Sequence, residues 1–176
     1  MERNHSAEKY PQAEKLRLLT GPPFNTESDA IYAALVRDFD GKKILCGGTT
    51  AKIVARELYR PIKFDNKLLY KGAGLPPPSD ILGIDLVTEG ILTLTDVVQR
   101  IEKDDTLATN LPLASKKIIQ LLCNSDEIEL VVGTRVNKSH QDPHLPINLE
   151  TRRNIVKRLK TALEEKYQKK VSIRYF

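Results

Sequence analysis

The stretch KKILCGGTTAKIVAREL, Lys42 to Leu58, decides the fold class. Lys42 to Cys46 is a short run that turns apolar and then meets a glycine pair, Gly47-Gly48. Beyond the pair the period changes. Ile53, Val54 and Leu58 recur at the spacing of one helical face. The reading is a buried strand over 42–46, a tight turn, and a helix capped by Thr49 or Thr50 that runs to about Arg60, where Pro61 stops it. A strand that passes through a glycine turn directly into a helix is the first half of a strand–helix–strand unit.

The same alternation continues outward in both directions. Before it, Gly21-Pro22-Pro23 fixes an extended turn, and Asn25 or Thr26 caps a helix with Ile31, Leu35 and Phe39 on one face, ended by Gly41. After it, residues 61–65 are a candidate strand, and 66–83, with Gly72, Gly74 and three consecutive prolines from Pro76, form a long excursion loop. Ile84 to Thr88 reads as a strand ending in Glu89-Gly90. A helix follows from about Thr93, with Val97, Val98 and Ile101 inward and Thr93 with Asp96 as its capping pair. Residues 112–123 form another helix, burying Ala114, Ile118, Leu121 and Leu122. Glu127 to Val132 is a strand ending at Gly133. A polar loop spans 134–148, a long basic helix follows, and Val171 to Phe176 alternates as a last strand. The expected architecture is a three-layer α/β domain, Rossmann-like, with a mostly parallel sheet of about four or five strands and helices on both faces. Residues 1–18 read as a polar, weakly ordered lead-in to a single domain over 19–176.

Composition agrees with one globular unit: 176 residues, 40% hydrophobic and 29% charged. No run approaches the roughly 20 apolar residues of a membrane helix, and the first twenty residues hold no apolar signal core. Cys46 and Cys123 both lie in apolar runs, which reads as buried thiols in a reducing cytoplasm. The chain has no Trp and 6% aromatic residues, which argues against a base-stacking platform. Its net charge of +5 is local, because residues 151–176 carry nine Lys and Arg against two acids, while the rest carries 19 against 21. Arg153, Lys157 and Lys160 share one face of the last helix, opposite Ile155, Leu159, Ala162 and Leu163. That is a solvated face of an amphipathic helix, so nucleic acid is not the expected partner.

Parallel sheets of this kind bind ligands beyond the carboxyl ends of their strands. Three such ends carry glycine. At the first, the backbone of Gly47 and Gly48 and the hydroxyls of Thr49 and Thr50 are suited to an anion, although neither GxxxxGK[ST] nor GxGxxG is present. At the second, Asp85 and Glu89, beside Gly90, offer two carboxylates. At the third, Gly133 leads into a polar loop whose Asn137, His140, Gln141 and His144 would close over a ligand. The histidine pair has a metal-ligand composition, but Pro143 and Pro146 break any helical HxxxH face, and no metal site is assigned. Cys46 reads as a structural thiol, since no Arg lies within its loop to bind a phosphate. No serine stands in a GxSxG turn. No catalytic residue is assigned, and the sequence requires no cofactor.

Several strings occur together in order: Gly21-Pro22-Pro23, KKILCGGTTAKIVAREL, GIDLVTEGILTL (83–94), VGTRVNKSHQDPHLPINL (132–149) and a terminal VSIRYF. Over roughly residues 19–176 they resemble the C-terminal region of bacterial stage II sporulation protein E-type serine/threonine phosphatases, where such a region follows a metal-dependent phosphatase domain. The aspartate pairs that hold metal in those phosphatases are missing here, since Asp40-Gly41 is the one Asp-Gly pair and Gly-Asp is absent. The resemblance therefore implies an accessory domain with a phosphatase partner. The expected function is a non-catalytic regulatory domain that senses a small anionic ligand. The alternatives are a small hydrolase or transferase using Asp85 or Glu89 with His140 or His144, and a protein or nucleic-acid contact domain working through Lys157 and Lys160.

Overall fold

In the computed structural model, which describes residues 11–65, 75–135 and 145–176 (backbone alone over 145–150), all strands join one sheet. Its seven strands are β1 (Lys15–Thr20), β2 (Lys42–Cys46), β3 (Lys63–Phe64), β4 (Ser79–Asp80), β5 (Leu86–Thr88), β6 (Glu127–Val132) and β7 (Lys170–Tyr175). The helices are α1 (Asp29–Arg37), α2 (Gly48–Glu57), α3 (Ile91–Glu102), α4 (Leu113–Cys123) and α5 (Leu145–Tyr167). The order across the sheet is β3-β4-β5-β2-β1-β6-β7, with β5-β2-β1-β6-β7 parallel and the two short strands β3 and β4 antiparallel at one edge. Taken in chain order, the parallel strands run third, second, first, fourth, fifth. This is a doubly wound, Rossmann-like sheet whose direction of growth reverses between β1 and β6.

Both faces are buried, so the strands alternate between two apolar cores instead of between core and water. Leu16, Leu18, Ile44, Cys46, Leu86, Ile128, Leu130 and Val132 pack with α3, α4 and α5. Leu19, Leu45, Val87 and Val131 face α1 and α2. The β1–α1–β2–α2–β5 half is wound over one face, and the chain then crosses to the other for β6 and β7.

The sequence reading departs from the structure in instructive places. Residues 15–18 were expected to belong to the lead-in, yet they open β1, the central one of the five parallel strands. Arg17 disguised it. Its side chain lies on the α1 side of the sheet, where the guanidinium sits 4.3 Å from the centre of the Phe39 ring, donates to Leu35 O at 2.7 Å and pairs with Glu129 at 3.3 Å. A charged residue inside a buried strand is tolerated when its head is bonded in this way. The apolar register of α1 also differs. Tyr32, Ala33 and Val36 are buried, while Ile31 is exposed. α3 begins two residues earlier than expected, with Gly90 at its cap. Asp96 bonds Ser115 and Arg100 and does not cap the helix. The described end of the expected excursion loop contains β4, which pairs with β3 and β5. Residues 66–74 of that loop lie outside the described residues.

Leu18 is fully buried and lies beside Ile44 on one neighbouring strand and Leu130 on the other. Leu18→Ala is expected to cost about 2–5 kcal/mol of unfolding free energy, read from urea titration, which a weakly ordered lead-in residue would not do.

Candidate functional site

In a doubly wound sheet the ligand crevice opens where growth reverses, here between the carboxyl ends of β1 and β6. In this protein that crevice is sealed by the chain itself. The Gly133 amide donates to Thr20 O at 2.9 Å and the Arg135 amide to Pro22 O at 3.2 Å. The Arg135 guanidinium donates to Pro23 O at 2.8 Å and pairs with Asp29, a buried carboxylate that also holds Arg56 at 2.6 Å. Phe176 completes the seal. Its carbonyl accepts from the amides of Phe24 (3.1 Å) and Thr134 (3.0 Å), and its ring lies 5.6 Å from that of buried Tyr32. The Tyr32 hydroxyl donates to Gly21 O, and burial raises its pKa above the ordinary phenol value.

The open cavity is displaced by one strand, over the ends of β1, β2 and β5. It has a volume of about 220 Å³ and is bounded by residues 20–22, 46–50, 89–91 and Arg152 of α5. Two helices start at its wall. Gly47 takes φ +133°, a conformation strained for any other residue, and its amide donates to Thr88 O at 2.9 Å. Its carbonyl accepts the first helical bond of α2, from Ala51. The amides of Gly48, Thr49 and Thr50 thus have no backbone acceptor among the described residues, and they carry the positive end of the helix dipole. Gly90, the cap of α3, packs against Gly47 so closely that a Cβ there would sit 3.3 Å from Gly47 Cα.

Three side chains on the cavity wall lack partners. Thr50 is 1% exposed and lies beside the Tyr32 phenol, and its Oγ1 makes no hydrogen bond of good geometry. Glu89 Oε2 is buried and equally unpartnered. Arg152 is half-buried, and no hydrogen bond or ion pair to another described residue holds its guanidinium. Burial pulls its pKa below the ordinary arginine value. Cys46 closes the floor. Burial pushes its thiol up to about 12, so it is protonated and unreactive near neutral pH, and Thr88 Oγ1 donates to its sulfur at 3.4 Å.

Of the residues singled out from sequence, Gly47, Gly48, Thr49, Thr50, Glu89 and Gly90 come together at this cavity. Asp85 does not. It precedes β5 at the opposite, amino end, accepts from the Lys43 amide at 2.8 Å and pairs with Lys42 at 3.6 Å. A carboxylate three residues before a strand's carboxyl end lies about 10 Å from it along the strand, so Asp85 and Glu89 cannot converge. Gly133 is structural, lying beneath Gly21 and Pro22 outside the cavity lining. Asn137, His140, Gln141 and His144 lie outside the described residues. Sequence reasoning missed Arg152, yet a signal was available: at i, i+3, i+4 and i+7 it shares a helical stripe with buried Ile155, Val156 and Leu159. The outer face of α5 is partly neutralised within the chain, because Arg158 pairs with Glu102, Lys166 with Asp104 and Lys160 with Glu164. Among the described residues no three His, Cys, Asp or Glu side chains cluster to hold a metal ion, and no helix is long and apolar enough to cross a membrane. No protein-family model, curated protein or solved structure matches the chain.

The two glycines at the strand ends should respond oppositely to alanine. A Cβ at Gly133 would meet Pro22 O at 2.1 Å and Gly21 O at 2.2 Å, whereas one at Gly48 meets nothing within 4 Å. Gly133→Ala should unfold the chain or lower its melting temperature steeply; Gly48→Ala should leave it unchanged or stabilise it by up to about 1 kcal/mol. Calorimetry on both variants checks this. Mass spectrometry should also find Cys46 unmodified by iodoacetamide at about pH 8 in the folded chain and modified after denaturation.

Proposed function

We propose that this chain is a non-catalytic regulatory domain that binds a small anionic ligand in the cavity over β1, β2 and β5. The observation that carries the reading is Arg152, a half-buried guanidinium that forms no ion pair with a described residue, facing the same cavity as the first amides of α2. A cation removed from water needs a counter-charge, and a helix N-terminus is a ready anion cradle. Thr50 adds a buried hydroxyl with an unused hydrogen bond. The cavity is smaller than the roughly 300–1,000 Å³ sites of drug-sized ligands, which favours a compact anion over a dinucleotide. Buried Cys46, protonated, supplies no nucleophile. The resemblance of the ordered strings to the C-terminal region of sporulation phosphatases supports a role beside a metal-dependent serine/threonine phosphatase, and the free thiols of Cys46 and Cys123 support a cytoplasmic setting. If the immobilised chain neither retains such a phosphatase nor changes its rate, that association is wrong.

The anion site is tested by thermal shift with inorganic phosphate, phosphate esters, nucleotides and small carboxylates. A ligand at 100 times its dissociation constant adds about 2.7 kcal/mol, roughly 5–10 °C for a chain of this size. At least one anion should produce such a shift, and Arg152→Met should abolish it. Thr50→Val should also abolish it while raising the melting temperature of the ligand-free chain, because a buried hydroxyl without a partner costs about 1 kcal/mol or more. A flat panel with the native chain would overturn the reading.

A further inference from the structure

We propose that the ligand is a phosphate monoester whose carbon skeleton carries free hydroxyl groups, a sugar phosphate in chemical class, with Glu89 accepting from those hydroxyls. The inference rests on the anion reading above and adds to it the identity of both ends of the ligand.

The anionic end follows from counting donors. The amides of Gly48, Thr49 and Thr50 have no backbone acceptor among the described residues, Thr49 lines the cavity, Thr50 Oγ1 is buried without a partner of good geometry, and Arg152 brings a fork of N–H groups. A carboxylate has two oxygens to offer such an array, while a phosphate monoester has three terminal oxygens and more charge. Nothing crowds the approach, because the space beside Gly48 Cα is open.

The other end follows from Glu89. Glu89 is only partly buried and lines the same cavity, and its Oε2 accepts no hydrogen bond. A site built for an anion alone would exclude a carboxylate, because like charges in a partly dehydrated cavity repel. Glu89 fits the cavity if the ligand presents hydrogen-bond donors to it and keeps its phosphate at the α2 side. Hydroxyl groups do this without a further charge. The placement of the acid agrees: Glu89 stands one residue before the Gly90 cap of α3, whose first amides favour a negative charge.

The test is calorimetric titration of the full chain with ribose 5-phosphate and with ethyl phosphate, which has the same anionic group and no hydroxyl. The native chain should bind ribose 5-phosphate at least about tenfold more tightly, the scale of a hydrogen bond to a charged acceptor. Glu89→Gln should reduce that preference to less than about threefold and leave ethyl phosphate bound equally or more tightly, since a repelling charge is gone. Glu89→Asp, which keeps the charge and shortens the reach, should also lose the preference, and it guards against a folding defect peculiar to the amide. Equal affinity for the two esters in the native chain, or a preference that survives in both variants, overturns the role of Glu89 while the anion site stands. Tighter binding of a zwitterion such as serine than of either ester overturns the ligand class. If neither ester nor inorganic phosphate binds the native chain while a small carboxylate does, the ligand class falls and the anion site stands; if no anion of either kind binds, both fall.

Discussion

The close passage of Pro22 over Gly133 governs the carboxyl end of the parallel sheet. The two backbones lie so near that a single Cβ would sit 2.1 Å from a carbonyl oxygen. Around that contact the β1 and β6 loops are joined by backbone hydrogen bonds, and buried Asp29 is shared by Arg135 and Arg56. A salt bridge of this kind holds geometry more than it adds stability, because removing either partner strands a charge. The geometry it holds closes the crevice that a doubly wound sheet ordinarily leaves for a ligand. The available opening shifts to the neighbouring strands, β2 and β5, where Gly47 and Gly90 bring two helix starts together.

How much of this was legible in sequence depended on whether the signal was local. β2, the Gly47 turn and β6 were read to the residue or nearly so, because period, glycine and length all pointed one way. β1 was missed because Arg17 breaks its apolar run, and the partners that make it tolerable, Phe39 and Glu129, are distant in sequence. Asp85 was misplaced for a related reason. A strand's residues can be recognised before it is known which end of the sheet each one reaches, and Asp85 lies at the amino end, held by Lys43. The convergence of Gly47 and Glu89 was readable because each directly follows a parallel strand. The exclusion of Gly133 was not, since it depends on contact with a loop more than a hundred residues away.

Arg152 shows how a residue can be counted and still be misread. It belongs to a basic segment and looks like one more solvated charge. Its neighbours Arg158 and Lys166 do find acids within the chain. Arg152 instead sits in the apolar stripe of α5, and the helix carries it inward to the cavity. A charge on the buried face of an amphipathic helix pays a desolvation cost that its face-mates do not, and burial accordingly lowers its pKa. Helical phase was the informative quantity here, and net charge was not.

The cavity wall combines features that a merely structural loop would not keep together. A helix cap needs glycine and a hydroxyl, and the α2 start has both, yet Thr50 Oγ1 is not used for capping. An acid before a helix needs only the dipole, yet Glu89 turns one oxygen into a buried wall with no donor. A helix-stripe arginine is usually balanced by a carboxylate, and the nearest acid on this wall is Glu89, with which it forms no ion pair. Each feature alone costs free energy in the empty protein. Because all three share one cavity, a single occupant with an anionic end and a hydroxylated end would offset them together. Three unrelated structural explanations would each have to account for one unmet group.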